Sequence, residues 1–324
     1  MSFNDRGVRA RENTMPEGSA EFGFLPNPLS ISAGEIHVET LDGTPEIVQS
    51  IRDSERVHKG WYYAPPSGSQ NILNGEILEH PYPMRVFRLP FTHRIRHASD
   101  DNHAHLDFLI WCLGFFEGTR LTTFEAGYLD ATPITKGNLT DFILTSGTQP
   151  GDALELAERY WRDHNAAPRQ IKRMIGIIHC LFLAQNPNHM PFEKFSYLYM
   201  ALDACFKATS EMHSPPARLS HAKRIEWTCQ QFGMPVPEWA TAPSGTATEI
   251  SGVRNDTIHE ALFFDEPLGF VTYGGSPGSG GGLNTPSQME ALTCRFIVAL
   301  LGMPQADYVR SPVNTRQRHG LSLK

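Results

Sequence analysis

Beyond Pro150 the apolar residues recur at intervals of three and four, the spacing that puts one face of an α-helix into a core. Ala153–His164 is the first such segment. Pro168 suits a first helical position and precedes Ile171, Met174, Ile175, Ile178, Leu181 and Phe182, a run stopped by Asn186-Pro187-Asn188. Phe195, Leu198, Tyr199, Leu202 and Phe206 mark the next helix, which ends before Pro215-Pro216. Leu219, Ala222, Ile225, Cys229 and Phe232 mark another, with Gly233 placed for a left-handed cap. A fifth helix is predicted from about Thr246 to Phe264 on Ile250, Val253, Ile258, Ala261 and Leu262. Thr285-Pro286-Ser287-Gln288 resembles a capping box and opens the last helix, closed by Gly302 and Pro304. Five or six antiparallel helices joined by mostly short loops make a bundle over residues 150–304.

The first half has a different period. GEIHVETLDG alternates and ends in a turn, PMRVFRLPFTHRI is rich in β-formers around Pro90, and TRLTTFEAGYLD and TDFILTSG continue the pattern. Asp107–Phe116 is a continuous apolar run, either a buried strand or a short helix. Turn signals at Asp42-Gly43, Pro65-Pro66, Asn74-Gly75 and Gly137-Asn138 separate these runs. The fold class read from this is α+β: a mostly β amino-terminal domain over 24–149, then the helical bundle. Residues 1–23 read as a disordered leader and 305–324 as a basic tail carrying Arg310, Arg316, Arg318 and Lys324, either solvated or an arm that contacts substrate.

Composition excludes several classes. Hydrophobic residues make up 40% of the 324, which is ordinary for a globular chain and too much for disorder throughout. The longest apolar stretches, Phe108–Phe116 and Met174–Ala184, are shorter than the roughly 18–20 residues of a spanning helix. The polar amino end lacks the apolar segment of a secretory signal, and Cys112, Cys180, Cys205, Cys229 and Cys294 are scattered with no Cys-x-x-Cys pair. A cytoplasmic protein with reduced thiols and no membrane partner is expected. The net charge of −7 falls in the first 150 residues, where 12 Lys and Arg face 19 Asp and Glu; the remainder holds 16 of each. An acidic whole argues against indiscriminate wrapping of nucleic acid, whereas a local cationic cleft suffices for a nuclease.

The predicted fifth helix contains Arg254-Asn255-Asp256-Thr257-Ile258-His259. Asn255 and His259 are four apart and project from nearly one side, and the long Arg254 side chain can curl toward them. Arg88/His93 and Arg159/His164 share the Arg-to-His separation, but the first pair flanks Pro90 in a strand-like segment and the second sits in a very polar helix near its end. The plain alternative for the trio is Arg254 ion-paired with Asp256 or a neighbour and His259 packed between helices.

The segment VRNDTIHEAL, late in a five- or six-helix bundle, resembles the signature of the HEPN superfamily of helical nucleases: an Arg, commonly followed by Asn, Asp or His, with a His after four to six intervening residues. FSYLYMALDACFKA resembles the earlier core helix of those domains, in which an acidic residue often faces the motif; Asp203 is the matching position. The resemblance covers roughly residues 150–303 and implies a HEPN-like bundle that cleaves RNA without metal or cofactor, in a defence or toxin-like role. It implies that Arg254 holds the scissile phosphate, His259 acts as general acid or base, Asn255 orients the phosphate or the imidazole, and Asp203 positions Arg254. Histidine takes and gives protons near neutrality, and arginine's planar fork matches phosphate oxygens. One trio supplies one imidazole, and the resemblance implies a homodimer through the helical domain whose two motifs share a cleft. The amino-terminal domain would then meet a trigger or regulatory protein, or restrain the nuclease.

Two rival readings stand beside this one. The bundle could be a non-catalytic dimerisation and docking module. Alternatively, His103, His105 and Asp107, in a segment that also holds His93 and His97, could centre a zinc hydrolase; His103-Ala-His105-Leu-Asp107 departs from the metallo-β-lactamase pattern, because Phe108 stands where its last His belongs. The glycine-rich run Gly274–Gly282 lacks the Gly-Lys-Ser/Thr of a phosphate loop and reads as a linker, and Trp61-Tyr62-Tyr63 reads as core or edge aromatics of a strand.

Overall fold

The computed structural model describes residues 18–84, 86–123, 127–241, 248–261, 264–265, 269–270, 285–313 and 318–324. The glycine-rich run lies outside them. The chain is mixed α/β, strand-rich in its amino-terminal part and helical in its carboxy-terminal part. Its largest sheet has four antiparallel strands in the order Ser19–Phe22, His93–His97, Ile36–Thr40, Ile31–Ala33. The other strands form small two- and three-stranded sheets, and helix α1 (Thr44–Arg52) packs in a second, smaller hydrophobic cluster with Phe24, Phe87, Leu89, Tyr128 and Ile134. Among the described residues no helix is long and apolar enough to cross a membrane.

The strand Ser19–Phe22 corrects the end of the predicted leader, whose residues 1–17 lie outside the described ones: Ala20 and Phe22 are buried where a disordered segment was expected. Four residues after Gly18 are too few to show alternation, and the pairing with His93–His97 that fixes them is remote in sequence.

Helix α2 (His103–Glu117) decides the ambiguous apolar run. Asn102 caps it, its side-chain oxygen accepting from the N–H of Ala104 at 3.0 Å. Gly118 ends it at φ +60°, where a Cβ would stand 2.6 Å from Cα of Gly137, so only glycine fits. Leu106, Phe108, Leu109, Ile110, Cys112, Leu113, Phe115 and Phe116 are all buried, because α2 packs against the sheet and against α3 (Pro150–His164) and α4 (Pro168–Ala184). One hydrophobic core therefore runs from the sheet through α2 into the later helices, and the change of sequence period near residue 150 is not a break in packing.

Helix α5 (Pro191–Met212) begins with Pro191 and a capping Glu193, whose carboxylate accepts from the N–H of Met190 at 2.8 Å. Its Phe195, Leu198, Ala201, Leu202, Cys205 and Thr209 face α4 and α8 (Thr285–Leu300). Between α5 and α8 in the chain come a 3-10 turn (His221–Lys223), α6 (Arg224–Gln231), closed by Gly233 at φ +64°, and α7 (Glu249–Arg254). The described residues after α8 are not a solvated tail. Tyr308, Val309, Val313, Leu321 and Leu323 are buried, α9 (Asp307–Arg310) packs on α8, and His319–Leu321 pairs in parallel with Phe142–Leu144. The apolar residues interspersed with the basic ones carry this segment into the core.

Candidate active site

Thr248 caps α7, its hydroxyl accepting from the N–H of Ser251 at 3.2 Å while Ser251 Oγ accepts from the N–H of Thr248 at 2.9 Å. Ile250 and Val253 anchor the helix in the core. The α-helix ends at Arg254, and Asn255–His259 forms a π-turn with no buried residue. The predicted helix to Phe264 is therefore cut short. Ile258 is 47% exposed, and Ala261 takes a left-handed φ of 56° that a continuing helix forbids. Ile258 and Ala261 extended the apparent stripe without packing behind it.

The π-turn changes the geometry of the motif. At 3.6 residues per turn, Arg254 and His259 would lie about 140° apart around the axis. Bonding from i to i+5 widens the turn, so that a residue and its fifth neighbour approach one side, as i and i+4 do in an α-helix. Asn255 and His259 are exposed and Arg254 is half-buried. Arg254 Nη1 donates to Asn255 Oδ1 at 3.0 Å, so Asn255 fixes the guanidinium. The guanidinium lies over the Tyr199 ring, 5.9 Å from its centroid, and its buried Nε has no hydrogen-bond partner among the described residues.

Asp203 stands one turn after Tyr199 on α5. Its ion pair is with Arg224 at the start of α6, Nη1 to Oδ1 at 2.6 Å, so the contact the structure records for it is a different cation from the expected Arg254. Arg224 also lies 4.9 Å from the Phe206 centroid, and its Nε too is buried without a hydrogen-bond partner among the described residues. Lys207 Nζ lies 5.6 Å from the same ring. His221, on the turn that precedes α6, belongs to this group: burial and then the charges of Arg224, Arg254 and Lys207 push its pKa down, with Asp203 opposing them. Burial raises the Tyr199 hydroxyl, against the lowering charge of Arg254. Arg224, His221, Tyr199 and Lys207 carry no spacing signal relative to the motif, since three elements bring them together.

The second His-rich segment is arranged differently from the expected triad. His103 and Asp107 lie about one turn apart on α2, while His105, two positions from each, points to the opposite side of the helix. His103 is exposed and His105 is buried, so the three cannot converge on one ion.

No family model, curated protein or solved structure matches the chain.

Proposed function

We propose that the protein is a metal-independent endoribonuclease of HEPN type, acting as a homodimer in a defence or toxin-like role. The observation that carries this reading is the π-turn, which draws Arg254 and an exposed His259 toward one side of a helix beside a second arginine. RNA cleavage of this kind needs a base to take the 2′-hydroxyl proton, cations on the phosphate, and an acid to protonate the departing 5′-oxygen. Arg254, fixed by Asn255, and Arg224, fixed by Asp203, supply the cations. The 2′-oxygen attacks phosphorus, the bond to the 5′-oxygen breaks, and His259 gives the leaving oxygen its proton. The products are a 2′,3′-cyclic phosphate and a 5′-hydroxyl.

The second imidazole comes from the symmetry mate. A two-fold contact brings the same patch together from both chains, and the exposed Ile258 and Met200, each 47% accessible, give the motif surface an apolar element for it. The amino-terminal part, with its acidic balance, stays outside this contact and receives the trigger or regulatory partner.

The test is cleavage of RNA by purified protein in EDTA, wild type beside His259→Ala, with solution mass measured on both. The expected result is a dimer that leaves cyclic-phosphate ends, and a folded, dimeric His259→Ala reduced by about 10²-fold or more. Cleavage by His259→Ala at the wild-type rate overturns the assignment. A strictly monomeric active protein overturns the shared cleft, and an inactive wild-type dimer moves the reading to a docking module.

A further inference from the structure

His97, His105 and Glu158 come from three elements: the last residue of the strand His93–His97, the first turn of α2, and the middle of α3. Their donor atoms lie within 4.8 Å of one another, and both imidazoles are buried, at 8% and 2% exposure. His105 Nε2 is 2.7 Å from Glu158 Oε2, and His97 Nε2 is 3.7 Å from the same oxygen. The geometry points to a binding site for a divalent transition-metal ion of the zinc class, held by His97, His105 and Glu158.

Several contacts set these ligands in advance. His105 Nδ1 is 2.7 Å from Asp100 Oδ2, the carboxylate–histidine arrangement that orients a metal-binding imidazole, here with Nε2 toward Glu158. The Trp161 ring stacks on His105 at 4.6 Å and 9°, fixing the imidazole plane. Arg162 Nε lies 3.4 Å from Glu158 Oε1, which turns the other oxygen toward the histidines. Ligands about 2.0–2.2 Å from a tetrahedral zinc stand about 3.3–3.6 Å apart, so the His97–Glu158 spacing of 3.7 Å closes slightly and the His105–Glu158 contact opens by less than an ångström. Metal binding also displaces the contact from the Ser99 N–H to His97 Nδ1; at 3.3 Å it lies beyond the usual range.

Three protein ligands leave a coordination position for water or an oxyanion. A cleft of about 470 Å³ meets the site there, lined by Glu35, His97, Glu155, Glu158, Arg159 and Arg162. Glu35 Oε2, 3.8 Å from His97 Nε2 at the rim, is the nearest further donor. This inference does not depend on the nuclease reading, because none of its residues belongs to the motif.

The test is zinc titration of chelator-treated, full-length protein by calorimetry, with metal content measured after gel filtration. Wild type takes up one zinc per chain. His97→Ala and His105→Ala take up none, and Asp100→Asn binds about 10–100-fold more weakly. Cobalt loaded in place of zinc gives wild type the intense visible bands of a four-coordinate site. Melting curves check folding. Glu158→Gln keeps the shape of its side chain and serves as the deciding variant where an alanine variant unfolds. Absence of stoichiometric zinc in wild type at micromolar protein, or uptake unchanged by Glu158→Gln, overturns the inference.

Discussion

Arg254 and Arg224 both hold a planar fork against an aromatic ring, with Asn255 and Asp203 orienting them. Lysine keeps the charge but loses the fork, so Arg254→Lys is not a conservative change at such a site. Cleavage by Arg254→Lys and by Arg224→Ala is expected to fall about 10-fold to 10³-fold, with unchanged circular dichroism. Wild-type turnover by Arg224→Ala removes that arginine from the site and leaves Arg254 as the cation of the motif. The Arg254–Asn255 contact was legible because the two are neighbours in the chain. Arg224 and His221 lie some thirty residues earlier, and nothing in their local pattern marks a site. The same holds for Glu158, which meets His97 and His105 through the packing of α3 on the sheet; Arg159/His164 drew attention to that helix for a different reason.

Helices were legible where an apolar stripe is backed by packing and bounded by caps. The helical starts at Pro168 and Thr285 and the left-handed Gly233 follow from local chemistry. The end of α7 does not, since a π-turn obeys no period that an α-helical pattern reveals. Helix α8 shows a third case. Every residue from Ala291 to Leu300 is buried, including Arg295, whose charge a core-facing stripe would not lead one to expect. Arg295 Nη1 donates to Asp141 at 2.7 Å and to the carbonyl of Ala291 at 2.8 Å, and its Nε and Nη2 donate to Ser311 at 3.1 and 2.9 Å. The Tyr308 hydroxyl donates to the same Asp141, and the guanidinium stacks on its ring. This latch ties α8 to the loop before Phe142 and to the carboxy-terminal segment. Arg295→Met leaves Asp141 with the Tyr308 hydroxyl as its remaining donor and removes the guanidinium from both Ser311 oxygens, and a loss of about 2–4 kcal/mol is expected in urea unfolding. A change under about 0.5 kcal/mol would show that methionine packing replaces the latch.

At the scale of the whole molecule, one core joins the sheet, the helices and the carboxy-terminal strand. Continuity of that kind depends on contacts remote in sequence, so the shift of period near Pro150 suggested two bodies that the packing does not separate. The amino-terminal strand and the final strand were missed for the same reason: each is short and is stabilised by a distant partner. Two histidines are folded into this molecule in neutral form. Burial, with the charge of Lys136 adding to it, lowers His93 to about 4; burial and then Arg120 lower His179 to about 4. His179 Nδ1 accepts from Arg120 Nη2 at 2.9 Å and cannot do so when protonated. In the unfolded chain both titrate near 6.5. Between about pH 6.5 and pH 4 the unfolded state therefore binds more protons than the folded one. Their contribution to stability is complete above pH 6.5 and is lost as the pH falls through this window. Glu290 opposes them over part of it, because burial raises its carboxyl to about 7 and makes the folded state the better proton acceptor. The comparison that isolates the histidine is therefore between variants. His179→Gln takes up no proton at that position, so its melting temperature should drop less than that of wild type between pH 7.5 and pH 5. A difference of several degrees corresponds to the order of 1–3 kcal/mol carried by the shift. Equal drops in the two proteins would mean that His179 is not held neutral in the fold.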